Sequence, residues 1–178
     1  MNTYIILLRA VNVSGSKIIK MAELRDSLAR ADFQDVQTYI QSGNIVLQSE
    51  LSSKEVEKAI QQIIQSEFGL DISLFVLTPS QVKSALKSMP FRSDADSSRV
   101  LLTFYAKKIS ESVIEELEPI RSATEEIHPG DGVLYFHFPD GSGKSKLSNK
   151  AIEKVLEQPC TSRNLRTMNK LLLMAADH

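Results

Sequence analysis

The sequence predicts an α+β protein made of two ferredoxin-like modules (split βαβ, the α-β plait) with antiparallel sheets. Three observations predict it. In residues 1–80, segments of strand period and helix period alternate as strand-helix-strand-strand-helix-strand. The same order recurs after residue 98. Between them lies Met89-Pro90-Phe91-Arg92-Ser93-Asp94-Ala95-Asp96-Ser97-Ser98, a polar stretch broken by proline. The expected division is residues 1–80 for the first module, 81–97 for a helix and linker, and 98–178 for the second module with a C-terminal helix.

Residues 3–8 are a continuous apolar run stopped by Arg9, as for a central strand covered on both faces. Small and polar residues from Ala10 to Lys17 make the first loop. Met21, Leu24, Leu28 and Ala31 then fall at spacings of three and four, which is helical. Residues 36–40 and 45–47 flank Gln41-Ser42-Gly43-Asn44. Gly43 and Asn44 tolerate a positive φ, so the pair reads as a hairpin. Ser52 or Ser53 caps a second helix with the stripe Val56, Ile60, Ile63, Ile64 and Phe68, and Gly69 stops it. Residues 72–77 complete the first module as a strand. Thr78-Pro79-Ser80 opens a short helix.

In the second module, residues 99–105 are a strand and 111–117 a short helix ended before Pro119. Residues 124–127 and 133–138 are strands around the turn His128-Pro129-Gly130-Asp131-Gly132. A helix follows over 149–156, a short edge strand over 160–162, and a last helix over 165–175.

Composition narrows the function classes. The 178 residues are 42% hydrophobic and 24% charged, as in ordinary globular proteins, so disorder is not expected. The formal net charge of −1 argues against a protein that lives on duplex DNA or an anionic membrane. Cys160 is the one cysteine, so no intrachain disulfide forms, and it reads as a buried apolar residue. The first apolar run is too short for a membrane span and lacks a basic start and a cleavage site. A cytoplasmic protein is expected, without membrane partner.

Four strings carry a resemblance: Leu7-Leu8-Arg9-Ala10-Val11-Asn12-Val13-Ser14-Gly15, Met21-Ala22-Glu23-Leu24, Tyr39-Ile40-Gln41-Ser42-Gly43-Asn44, and Thr161-Ser162-Arg163-Asn164-Leu165-Arg166-Thr167. In this order, over essentially the whole chain, the sequence resembles the uncharacterised bacterial family catalogued as domain of unknown function 1697. The resemblance implies two ferredoxin-like modules and no activity. The sequence departs from the family pattern in the first loop, usually Arg-Gly-Ile-Asn-Val-Gly-Gly, where Ala10 and Ser14 occupy glycine positions. Leu165 stands where the family usually has tryptophan.

Two groups of side chains are candidates for ligand binding. The first is Arg9, Asn12, Gln41, Ser42 and Asn44, a polar set expected to converge at the end of the first strand and the hairpin tip. It offers no strong base or nucleophile. The second is Lys144, Lys146, Arg163, Asn164 and Arg166, in the basic half of the second module. Lys144 sits in Gly141-Ser142-Gly143-Lys144-Ser145. The Walker A pattern fails there, because Phe138 stands where its first glycine belongs. A glycine-rich turn before a helix can still present N–H groups to a phosphate or carboxylate. The plainer reading is a solvated turn with Ser148 capping the helix. Lys146, Lys150 and Lys154 are spaced by four, as on one helix face. Thr161 or Ser162 is the expected cap of the last helix, and Arg163 suits either bidentate contact with an anion or a tie from the last helix to a neighbouring acidic turn.

In the third strand of the second module, Tyr135 and His137 share a face with Val133, as the base-stacking aromatics of RNA-recognition modules do. Asp131 and Val133 replace the basic and aromatic residues that such modules carry, so this face is expected to pack on the other module. No metal or other cofactor is expected: His128, His137 and His178 have no ligand spacing. No Gly-x-Ser-x-Gly elbow occurs. The function expected is non-catalytic binding of an anionic ligand, a phosphorylated small molecule or single-stranded RNA. The alternatives are an enzyme of unknown reaction using the first-loop set, and an interaction protein that forms a homodimer.

Overall fold

A computed structural model describes residues 1–177. The chain divides into two units, residues 1–83 together with the segment from residue 170 onward, and residues 84–169.

The first unit contains β1 (Asn2–Leu8), α1 (Met21–Arg30), β2 (Gln34–Tyr39), β3 (Asn44–Ser49), α2 (Ser53–Phe68) and β4 (Leu74–Leu77). Its strands lie in the order β2-β3-β1-β4, every neighbouring pair antiparallel. This is the split βαβ arrangement: β3 is inserted between β1 and β2, the ends of the first crossover. The apolar run of β1 is explained by its central place, since Tyr4, Ile5, Ile6, Leu7 and Leu8 are all buried. On one face, Tyr4, Ile6, Leu8, Ile45 and Leu47 pack with Met21, Leu24 and Leu28 of α1 and Val56, Ile60 and Ile64 of α2. Each such aliphatic side chain contributes about 1.5–3 kcal/mol when fully buried. The Ser52 backbone N–H donates to Glu55 Oε2 at 2.8 Å at the start of α2, and Gly69 ends the helix in the left-handed region at φ 65°.

Helix α3 (Pro79–Lys87) follows. The second unit contains β5 (Val100–Tyr105), α4 (Val113–Leu117), β6 (Glu126–Pro129), β7 (Val133–His137), a single 3₁₀ turn (Ser142–Lys144), α5 (Asn149–Leu156) and β8 (Cys160–Asn164). Its antiparallel order, β6-β7-β5-β8, repeats that of the first unit. Helix α6 (Leu165–Ala176) ends the chain. Val113, Leu117, Ile127, Leu134, Phe136, Phe138, Leu147, Ile152, Leu156 and Cys160 form the core on one sheet face.

The structure corrects the expected elements locally. β6 runs on through His128 and Pro129, because both pair with β7, and the turn contracts to Gly130-Asp131-Gly132. Strand β8 extends to Asn164, whose backbone pairs with Leu101. Asn164, not Thr161 or Ser162, therefore caps α6, its Oδ1 accepting from the Thr167 N–H at 2.8 Å. Helix α5 starts at Asn149, so Lys150 and Lys154 share a helix while Lys146 precedes it. Among the described residues, no helix is long and apolar enough to cross a membrane.

Candidate functional site

The first loop joins the hairpin through one side chain. Asn12 Nδ2 donates to the Gln41 carbonyl at 2.6 Å and to the Ile19 carbonyl at 2.9 Å, and Asn12 Oδ1 accepts from the Ile19 N–H at 2.9 Å. Asn44 is fully buried and turns back into the hairpin, its Nδ2 donating to Tyr39 O at 3.0 Å and Ser42 Oγ at 2.9 Å. The structure thus brings Asn12, Gln41, Ser42 and Asn44 together: the Asn12 and Asn44 amides bond to backbone carbonyls, and Ser42 Oγ accepts from Asn44. The Gln41 side chain is exposed. Arg9 is half-buried, and its backbone N–H donates to Ser73 O at 3.0 Å.

This loop is held in an uncommon conformation. Ala10, Asn12, Ser14 and Lys17 have φ of 54°, 55°, 51° and 48°, all left-handed. Ala10 and Ser14, which the resemblance places at glycine positions, hold left-handed backbone that glycine adopts without strain. At the hairpin, Gly43 at φ 83° leaves no room for a Cβ, which would stand 2.6 Å from Val11 Cγ2 and 2.7 Å from Leu8 Cβ. Ile40, β-branched, also has a left-handed φ of 49°.

The second unit holds a cavity of about 290 Å³ lined by Thr103, Ser142, Gly143, Ser148, Asn149 and Ser162, with Leu101, Phe136, Phe138, Leu147 and Ile152 as apolar walls. Ser162 Oγ donates to Asn149 Oδ1 at 2.9 Å, and Thr103 Oγ1 lies 2.7 Å from Ser162 Oγ. A hydroxyl has one proton, so Thr103 must donate to Ser162. The relay fixes the Asn149 oxygen and leaves its Nδ2 hydrogens without a partner among the described residues. The adjacent glycine-rich turn is partly closed on itself: Gly141 N donates to Phe138 O, Lys144 N to Gly141 O and Ser145 N to Ser142 O. The N–H groups of Ser142 and Gly143 have no partner among the described residues. Ser148 Oγ caps α5 by accepting from Ala151 N at 3.2 Å. Lys144 and Lys146, flanking these positions in sequence, are exposed. The lining contains no titratable side chain.

The remaining candidates stand apart from this cavity. Side chains alternate along β8, so Ser162 faces the cavity while Thr161 and Arg163 take the opposite sheet face. There Arg163 Nη1 donates to Thr161 Oγ1 and Ser162 O, both at 2.9 Å, and burial pushes the guanidinium down to about 10. Asn164 is occupied in capping α6, and Arg166 is exposed. Tyr135 is 1% exposed and donates its hydroxyl to Ala85 O at 2.7 Å, so it offers no ring face for base stacking. Strand pairing does bring His137 Nδ1 and His128 Nε2 to 3.4 Å and 3.7 Å from Glu126, with the Phe91 ring 5.4 Å from each imidazole. No group of three metal-ligating side chains able to hold an ion occurs among the described residues.

The relay was not anticipated from the sequence. The signal available was Thr103, a hydroxyl residue inside the apolar run of β5 and fully buried.

A family model described as a protein of unknown function, DUF1697, matches residues 1–135. Among solved structures, the chain is similar to a conserved bacterial protein from Streptococcus pneumoniae, at 23% identity and a TM-score of 0.73, covering 97% of this chain and 98% of that one. That likeness concerns the fold. No curated protein matches the sequence.

Proposed function

The chain belongs to the DUF1697 family, whose function is unknown, and from that premise we propose that it is a non-catalytic binding protein for a small phosphorylated molecule, held in the cavity of the second unit. The observation that supports this is the donor set of the lining. The Thr103-Ser162-Asn149 relay commits the Asn149 oxygen and leaves its N–H₂, while the N–H groups of Ser142 and Gly143 have no internal partner. Neutral N–H donors beside Lys144 and Lys146 suit a phosphate, and backbone donors at a turn before a helix are a general means of holding one.

A volume of about 290 Å³ lies at the low end of small-ligand sites, which favours a compact molecule over an RNA strand. With no carboxylate, imidazole, amine or thiol in the lining, nothing there can act as a general base, which favours binding over turnover. A cytoplasmic setting accords with this reading, since small phosphorylated metabolites are met there.

The test is a thermal-shift panel of inorganic phosphate, ribose 5-phosphate, adenosine monophosphate and a short single-stranded RNA. At least one phosphorylated small molecule raises the Tm, and the rise weakens with added salt. Stabilisation by the RNA alone, or by none of the four, contradicts the reading.

A further inference from the structure

A second cleft, of about 430 Å³, opens where β5 runs out opposite the β6–β7 turn. Tyr105, Lys107, Lys108 and Ile109 line one side and Asp131 and Gly132 the other. The lysine side is pre-organised. Gln158 Oε1 accepts from the N–H groups of Ala106 and Lys107 at 3.1 and 2.8 Å, and Gln158 Nε2 donates to Lys107 O at 2.7 Å. These three bonds fix the backbone that carries both lysines. The facing turn is constrained too. Gly130 N donates to Val133 O at 2.7 Å, and a Cβ on Gly130 would stand 2.6 Å from the Tyr135 ring.

The charges across this cleft are opposite and unpaired. Lys107, Lys108 and Asp131 are exposed, and none makes an ion pair or side-chain hydrogen bond with another described residue. Tyr105 is half-buried beside them. Tyr105 and Asp131 both line the cleft, and the Tyr105 phenol is held above its ordinary range by burial first and by the Asp131 charge second.

We infer that this cleft binds a zwitterion of the free α-amino acid class, its carboxylate on Lys107 and Lys108 and its ammonium between Asp131 and the Tyr105 ring. A ligand with only an anionic group would satisfy the lysines but meet the Asp131 charge, and a simple cation would meet the lysines. A molecule carrying both charges on one carbon satisfies both rims. An aromatic face beside a carboxylate is a favourable place for an ammonium group. The apolar surface of Ile109 and Tyr105 is available to the amino-acid side chain. This site shares no residue with the cavity of the proposed function.

The test uses the full chain and the twenty free L-amino acids in thermal shift, followed by equilibrium dialysis of those that stabilise. Each is compared with its N-acetyl and carboxamide derivatives. At least one free amino acid binds, and each derivative, lacking one charge, binds at least tenfold more weakly. Asp131→Asn and the Lys107→Ala/Lys108→Ala pair each reduce affinity at least tenfold, and both leave the response to ribose 5-phosphate unchanged. Absence of stabilisation by any amino acid, equal binding of an N-acetyl derivative, or full affinity in Asp131→Asn overturns the inference.

Discussion

Asn12 donates its side-chain amide to the Gln41 carbonyl at 2.6 Å, tying the first loop to a hairpin 29 residues further along the chain. The same side chain pairs with both backbone groups of Ile19. It acts as a clip that imitates a short stretch of strand pairing. Asn12→Ala removes three hydrogen bonds, each contributing about 0.5–1.5 kcal/mol, so a loss of about 2 kcal/mol in urea unfolding is expected. A change below about 0.5 kcal/mol contradicts the role.

Ala10 and Ser14 adopt left-handed φ of 54° and 51°. A side chain in that region costs about 1–2 kcal/mol, and glycine avoids it while losing more entropy on folding. Ala10→Gly and Ser14→Gly are each expected to stabilise by a few tenths to about 1 kcal/mol. Thermal unfolding checks this, and a lower Tm in both variants contradicts it.

Gly43 sits at φ 83° with Leu8 and Val11 where a Cβ would go. Gly43→Ala adds left-handed strain and overpacking, each about 1–3 kcal/mol, so a loss of at least about 2 kcal/mol is expected. The companion Val11→Ala separates the two causes. If contact with Val11 matters, Gly43→Ala costs less in the Val11→Ala background than alone.

Glu55 accepts from the Ser52 hydroxyl and the Ser52 backbone N–H, and these bonds, the hydroxyl first, hold its carboxyl below the usual 4.5. A carboxyl lowered in the folded state stabilises above its unfolded value, and that contribution fades as pH falls through the folded value. Stability measured from pH 6 to pH 3 therefore falls less steeply in Ser52→Ala than in the parent. Identical slopes contradict the assignment.

Much of the fold was legible because it depends on local pattern. The buried run of β1, the α2 stripe closed by Gly69 and the hairpin around Gly43 all follow from side-chain period and turn chemistry. The cap of α6 was misjudged because pairing of Asn164 with Leu101 extends β8, a tertiary effect. The polar strings were legible as unusual but not in their roles. Asn12 and Asn44 hold backbone groups, and Ser42 Oγ receives the Asn44 amide. The relay lies beyond sequence reasoning, since Thr103 and Ser162 are 59 residues apart and meet only through the β5–β8 register.

The Asn149 amide and its neighbouring N–H groups are the proposed holders of the phosphate. The most direct measurement is a ribose 5-phosphate titration by calorimetry, parent chain against Asn149→Ala. Saturable binding by the parent and at least tenfold weaker binding by the variant are expected, and the variant stays folded because Asn149 is exposed on the first turn of α5. Equal affinity in both, or no binding by the parent, would contradict the proposal.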